Sequence, residues 1–180
     1  MKDKKIMGLD ISSATIGYCI LDYEKVITYD YLKNNEKYNE YQQIQIASNT
    51  LIDIANEHEV DEIAIEQISE FFGNKSTSKT IIKLAKWNSI ISYAMFNNFF
   101  NINHHNVNSI RKLLKDDFNN KNKSKLSKIK KEEVPDIISD LLDFKFEYEY
   151  NKNGKLKMEN YDKADAIAVA YYHLFNNLKK

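Results

Sequence analysis

Short apolar runs alternate with polar punctuation along the first third of the chain. Lys5 to Leu9 and Ile16 to Leu21 are β-branched or apolar, and Ser12-Ser13-Ala14-Thr15 separates them in the manner of a hairpin. Val26 to Tyr31 predicts a third strand. Between Glu36 and Glu59, Ile44, Ala47, Leu51 and Ile54 recur at helical spacing with polar residues between them, which predicts an amphipathic crossover helix. A short apolar strand follows at Glu62 to Glu66, then a helix from Ser76 to Asn98 with Ile81, Leu84, Ala85 and Asn88 on its buried stripe. Ile102 to Val107 reads as a fifth strand, although His104 and His105 interrupt it and neighbouring asparagines favour turns. Ser124 to Phe144 reads as a helix that Pro135 either kinks or restarts. Glu147 to Glu159 suits an exposed loop or hairpin around Asn153-Gly154, and the most apolar segment, Lys163 to Leu178, is the final helix. Three antiparallel strands followed by strands alternating with helices predict an α/β fold, a mixed five-stranded sheet flanked by helices on both faces.

A chain of 180 residues suits one domain with a sizeable core, spanning 1–180. With one cysteine, Cys19, neither an internal disulfide nor a cysteine-rich zinc site can be built, and a reducing compartment is the natural setting. The N-terminal stretch is broken by Asp10 and two serines and suits neither a signal peptide nor a membrane span, so a cytoplasmic protein without membrane partners is expected. Basic and acidic residues balance at 26 each, so global charge does not announce nucleic-acid binding. Its distribution is more informative: Lys121, Lys123, Lys125, Lys128, Lys130 and Lys131 fall in one stretch with no acid between Lys121 and Lys131.

Four acids stand where acids are awkward. Asp10 ends an apolar strand; Glu66 ends another, where an unpaired buried charge costs several kcal/mol. Asp162 and Asp165 precede Ala166-Ile167-Ala168-Val169-Ala170-Tyr171, a run so apolar that its helix must be packed on more than one side. At i and i+3 the two share a helical face, although Asp162 as an N-cap and Asp165 as a first-turn charge would explain them as well. Two strand ends and one helix start can bring all four to one edge of a sheet. Oxygen donors without histidine or cysteine suit Mg²⁺ or Mn²⁺, and two such ions support phosphodiester cleavage.

These residues resemble the RuvC-type Holliday junction resolvases. Gly8-Leu9-Asp10 with Thr15-Ile16-Gly17-Tyr18 is similar to the family's first strand and turn, and Ala64-Ile65-Glu66-Gln67 to its second motif. Asp162-Lys163-Ala164-Asp165-Ala166-Ile167-Ala168-Val169-Ala170, with His173 following, resembles its C-terminal motif. The resemblance implies a ribonuclease H-like fold, a homodimer, and paired symmetric nicks across branched DNA, chiefly four-way junctions. It implies Asp10, Glu66, Asp162 and Asp165 as ligands of two Mg²⁺ ions per site, with Mn²⁺ able to substitute. It places Lys131 near the scissile phosphate and Arg111 at a basic position after the fifth strand. It also puts Phe71 and Phe72 where an aromatic contacts unpaired bases. Lys79, Lys83 and Lys86, at helical spacing, and Lys123, Lys125, Lys128 and Lys130 are candidate DNA-backbone contacts, although a solvated surface explains them equally. Ile11-Ser12 stands where bacterial members usually show proline-glycine, as expected of a divergent, phage- or virus-like member.

Other readings are an actin-like or sugar-kinase-like ATPase, a non-catalytic DNA-binding module, and a ribonuclease H-like enzyme acting on RNA or other branched DNA. The first needs two such domains around a nucleotide, more than 180 residues comfortably supply. The second leaves the four carboxylates without a purpose.

Overall fold

The computed structural model describes residues 4–23, 25–68 and 77–178. The chain runs β1 (Lys5–Ile11), β2 (Thr15–Asp22), β3 (Lys25–Lys33), α1 (Glu40–Glu57), β4 (Glu62–Gln67), α2 (Ser78–Asn97), β5 (Asn101–Asn106), α3 (Val107–Asn122), α4 (Val134–Leu141) and α5 (Glu159–Leu178), with a 3-10 turn at Lys131–Glu133. The sheet order is β3-β2-β1-β4-β5; β1–β2 and β2–β3 are antiparallel, β1–β4 and β4–β5 parallel. This is the mixed five-stranded sheet that the hydrophobic pattern predicts.

Strand parity sorts the core into two halves. Met7, Leu9 and Ile11 of β1, with Ile63 and Ile65 of β4, pack against Ile44, Leu51, Trp87 and Ile91 of α1 and α2. The alternate residues, Ile6 and Ala64, face Ile110, Leu114, Ile138 and the small-residue surface of α5. Successive strand side chains point to opposite faces, so Asp10 and Glu66 belong to the α5 side.

Gly8 and Gly17 decide how closely α5 approaches. A Cβ on Gly8 would lie 2.2 Å from the Ala166 carbonyl oxygen, and one on Gly17 would lie 2.1 Å from that of Asp162. Only hydrogen fits at either place. The helix backbone therefore rests directly on β1 and β2, and Ala164, Ala166, Ala168 and Ala170 are buried in the contact region.

Residues 107–122, for which the sequence pattern predicts no element, form α3, with the Asn106 side chain accepting a hydrogen bond from Asn108 N (2.9 Å) as its cap and Ile110 and Leu114 inward. The helix expected over Ser124 to Phe144 is instead a non-helical segment, the 3-10 turn and α4, with Pro135 in the first turn of α4. Lys123 takes a left-handed conformation (φ 51°) that closes α3. Asn119 then pins the departing chain, its Oδ1 accepting from Leu126 N and its Nδ2 donating to Leu126 O, both at 3.0 Å. Ile129 is buried and Leu126 half-buried, while Lys123, Lys125, Lys128 and Lys130 stay in water. A tract of like charges gains nothing from helical i, i+4 spacing, so inward anchoring of two apolar residues prevails.

Gly8→Ala should lower stability by about 2–3 kcal/mol or more, the range of overpacked cores, because the conflict is with backbone. Urea unfolding measures this; a loss below about 0.5 kcal/mol would show that α5 yields freely.

Candidate active site

Asp10 and Glu66 occupy the C-terminal ends of neighbouring parallel strands, one residue beyond the paired Leu9 and Ile65. Both face α5 by parity. Asp162 and Asp165 lie in the first two turns of α5, which begins at Glu159, four residues earlier than its apolar pattern suggests. Asp162 is therefore inside the helix and not its N-cap. Its Oδ2 accepts a hydrogen bond from Thr15 Oγ1 at 2.6 Å, which ties α5 to the β1–β2 turn. That turn is built by Ser12, whose Oγ donates to Thr15 O (2.7 Å) and accepts from Thr15 N (3.0 Å).

Two cations enter the acid cluster. Lys131, delivered by the 3-10 turn, places Nζ 3.2 Å from Asp165 Oδ2 and 3.4 Å from Asp162 Oδ1. Arg111, on the first turns of α3, donates from Nη2 to Asp165 Oδ1, while its buried Nη1 has no partner among the described residues. The side-chain carboxylates of Asp10 and Glu66 form no hydrogen bond or ion pair among the described residues. Four carboxylates thus face two cationic groups.

The electrostatic consequence is local. Burial, then the charges of Glu66 and Asp165, hold the Asp10 carboxyl well above the usual carboxylate range. Burial and Asp165 push Glu66 up to about 7, against the opposing pull of Arg111 and Lys131. For Lys131, burial acts to lower the pKa, but Asp165, Asp10 and Asp162 carry it above the ordinary lysine value.

The donor set is oxygen alone and carries more negative charge than its neighbours offset, which suits a hard divalent cation. With Lys131 and Arg111 on the α5 carboxylates, no three acidic, histidine or cysteine side chains among the described residues close on one point.

The comparisons with known proteins decide the lineage. The family model described as "Crossover junction endodeoxyribonuclease RuvC" matches residues 6–173. The chain belongs to the RuvC family. It is 25% identical over 173 residues to the crossover junction endodeoxyribonuclease RuvC of Aliarcobacter butzleri, spanning 94% of this chain and 97% of that protein. The RuvC of Alkaliphilus metalliredigens is 29% identical over 94 residues, 50% of this chain and 56% of that protein's length. Among solved structures, Thermus thermophilus RuvC in complex with a Holliday junction substrate superposes with a TM-score of 0.72 at 14% identity, covering 98% of this chain and 96% of that one. The yeast mitochondrial Holliday junction resolvase Ydc2 gives 0.62 at 15% identity, covering 98% and 81%. The fold is the ribonuclease H-like fold of RuvC nucleases.

The other residues singled out in this RuvC-family chain are scattered. Phe71 and Phe72 lie outside the described residues. Lys79 and Lys83 are exposed on α2, whereas Lys86 donates to Glu40 Oε2 at 2.6 Å and lies over the Tyr41 ring. That pairing removes Lys86 from a free basic path and makes it an α1–α2 clamp. Lys123, Lys125, Lys128 and Lys130 are exposed on the segment leading to Lys131. Arg111 is no surface residue, since it reaches into the acid cluster.

Three features escaped sequence reasoning: the Thr15 hydroxyl as a partner of Asp162, the burial of Lys163, and a histidine pair of buried His173 and half-buried His105. His105 Nε2 and His173 Nδ1 share a hydrogen bond of 2.8 Å, and His173 Nε2 shares one of 2.6 Å with Glu62 Oε2. His104 and His105 alternate along β5 and Glu62 shares the parity of Ala64 and Glu66, so strand alternation alone could have suggested the pair.

The raised pKa values set a sign for stability. The folded chain holds a proton on Glu66 that the unfolded chain releases near 4.5, so its contribution is present at low pH and lost as pH rises through about 7, and the raised Asp10 adds a loss of the same sign. In EDTA, Glu66→Gln should flatten the fall in Tm between those values and leave the variant more stable than the parent at about pH 8. A variant less stable there would show that Glu66 is compensated after all.

Proposed function

We propose that this chain resolves four-way DNA junctions by paired, symmetric nicks, as a homodimer using two Mg²⁺ ions, or Mn²⁺ in their place, at each active site. The observation that carries the reading is the placement of Asp10, Glu66, Asp162 and Asp165 at one edge of the sheet with, among the described residues, Lys131 and Arg111 to offset them. Two similar structures, a RuvC in complex with a Holliday junction substrate and a mitochondrial Holliday junction resolvase, support the substrate class.

The four carboxylates would hold the cations. When bound, these supply activation of a water for in-line attack and charge stabilisation at the leaving oxygen. Thr15 keeps Asp162 oriented by fixing one of its oxygens. Lys131 and Arg111, displaced from the carboxylates, would turn to the phosphate oxygens, and the unpartnered Nη1 of Arg111 gives a second donor for a bidentate contact. The site lies at an edge, as a duplex substrate requires; a cleft of about 500 Å³ elsewhere, lined by Thr28, Tyr29, Phe144, Tyr148 and Lys163, is separate from the carboxylates.

Two nicks call for two active sites. The outer face of α2 offers a surface for a second copy: Ile82, Tyr93 and Phe96 are each about two-thirds exposed, at 65%, 64% and 65%. They fall within about 60° of one another at the helical rotation of 100° per residue.

With Mg²⁺ and end-labelled four-way, three-way, flap and linear DNAs, symmetric nicks are expected in the four-way junction. Asp10→Asn and Glu66→Gln should bind the junction but cut it at least about 10²–10³-fold more slowly. Cutting of every branched form would replace this reading with a general debranching nuclease, and metal-independent cutting would remove it. Sedimentation should give a dimer for the parent and a folded monomer for Ile82→Asp/Phe96→Asp; a monomeric parent would refute the assembly.

A further inference from the structure

The segment from Glu149 to Met158 has no part in the chemistry above, yet it is built with care. Tyr150 and Leu156 form an antiparallel bridge. Asn151 closes the tip: its N donates to Lys155 O at 2.8 Å, and its Oδ1 accepts from Asn153 N (2.9 Å) and Lys155 N (3.0 Å). Gly154 takes the positive φ of 72° that the turn needs.

The base is fastened to α5. Asn160 is fully buried; its Oδ1 accepts from Glu149 N (2.9 Å) and its Nδ2 donates to the carbonyls of Glu149 (2.8 Å) and Lys157 (2.9 Å). Lys163 is a buried lysine whose Nζ donates to Glu149 Oε1 at 2.8 Å, with the rings of Tyr29, Phe146 and Tyr31 at 5.7, 5.7 and 6.0 Å. Lys157 occupies the other Glu149 oxygen at 2.7 Å. A desolvated ammonium among aromatic faces persists only with such a partner. The hairpin is thus rigidly attached to the helical turn that carries Asp162, about 4.5 Å of helix rise from Glu159.

Its exposed part has one chemical character. From Tyr150 to Met158 there are three lysines and no acid. Lys152 and Lys155 are exposed and have no ion-pair partner among the described residues. Tyr150 and Met158 are 58% and 67% exposed beside them. Cations that bind phosphate, interleaved with flat or flexible apolar groups that bind sugar and base faces, fit a nucleic-acid strand. Its base is bonded to Asn160 and Lys163, which flank Asp162 in sequence on α5, so a strand bound at the carboxylates would have the hairpin for a neighbour.

We propose that this hairpin is a DNA-contacting finger that holds the duplex arm beside the scissile phosphate through Lys152 and Lys155. The proposal rests on the nuclease reading above. Its reach, about four residues of extended strand or 13 Å, is enough to follow a backbone for several phosphates.

Full-length parent, Lys152→Ala/Lys155→Ala and Lys152→Glu/Lys155→Glu are compared for binding of a fluorescent four-way junction in EDTA across a salt series, with Tm measured for each. The alanine variant should bind about 10-fold or more weakly at moderate salt, the glutamate variant weaker still, with unchanged Tm. The slope of log affinity against log salt should shrink by about 0.9 for each lysine lost. Variants that match the parent in affinity and slope would overturn the finger while leaving the resolvase reading intact. A parent that binds no DNA would overturn the resolvase reading itself.

Discussion

The seating of α5 on Gly8 and Gly17 is the constraint on which the site depends. A helix normally stands about 10 Å from the layer it packs against, spaced by side chains. Here two strand positions lack side chains and the facing helix surface is rich in alanine, so backbone meets backbone. That contact brings the first turns of α5 to the height of the strand ends. Carboxylates from a strand and a helix can then share one locale even though aspartate has a short side chain. Gly17 is paired with Asp10 in the sheet, so the residue that admits Asp162's backbone stands beside the first carboxylate.

Closeness of this kind works against the folded state. Asp10 and Glu66 lose hydration, and the charge of Asp165, joined at Asp10 by that of Glu66, raises both pKa values further. Lys131 and Arg111 relieve only part of this and do so from α5's side of the cluster. Among the described residues the strand carboxylates are left without partners, and such imbalance is what a divalent cation resolves. Stability given up in the metal-free fold becomes affinity for the cation, since binding is favoured by the repulsion it removes.

Most of this was legible in sequence because it rests on period and parity. The apolar runs of β1 and β4 placed Asp10 and Glu66 at strand ends, and the apolar run after Asp165 marked a helix buried on several sides. The order of motifs then pointed to the RuvC family, which the match over residues 6–173 establishes. The region from 107 to 144 was legible only in part, for an equally physical reason. In α3, Ile110 and Leu114 are separated by polar residues and preceded by asparagines, which favour turns, so the pattern predicts no helix there. The tract after Lys123 has lysines at helical spacing, but its two inward residues and the Asn119 side chain fold it otherwise. Tertiary pairings such as Lys163 with Glu149, or Lys86 with Glu40, connect distant or differently structured segments and carry no periodic signature at all.

The helix that carries Asp162 and Asp165 is fastened at two heights. At its start, α5 is held by Thr15 through Asp162 and by the hairpin through Lys163 and Asn160. Two turns beyond Asp165, His173 is bonded to Glu62 and to His105, with Lys4 closing the chain on Glu62. Eight residues of helix rise about 12 Å and four of strand about 13 Å, so His173 meets Glu62 as Asp165 meets Glu66. Burial, then His173 and His104, press the His105 pKa down to about 4, so this ring is neutral near pH 7 and its partnership with His173 needs no buried positive charge of its own. The carboxylates therefore sit on a frame fixed at two heights. Lys131, by contrast, comes from a 3-10 turn at the end of an irregular lysine-rich segment, with a side chain 45% exposed. The carboxylates are thus held by the sheet and α5, whereas the cation that neutralises Asp162 and Asp165 is carried by a long, partly exposed side chain outside that frame.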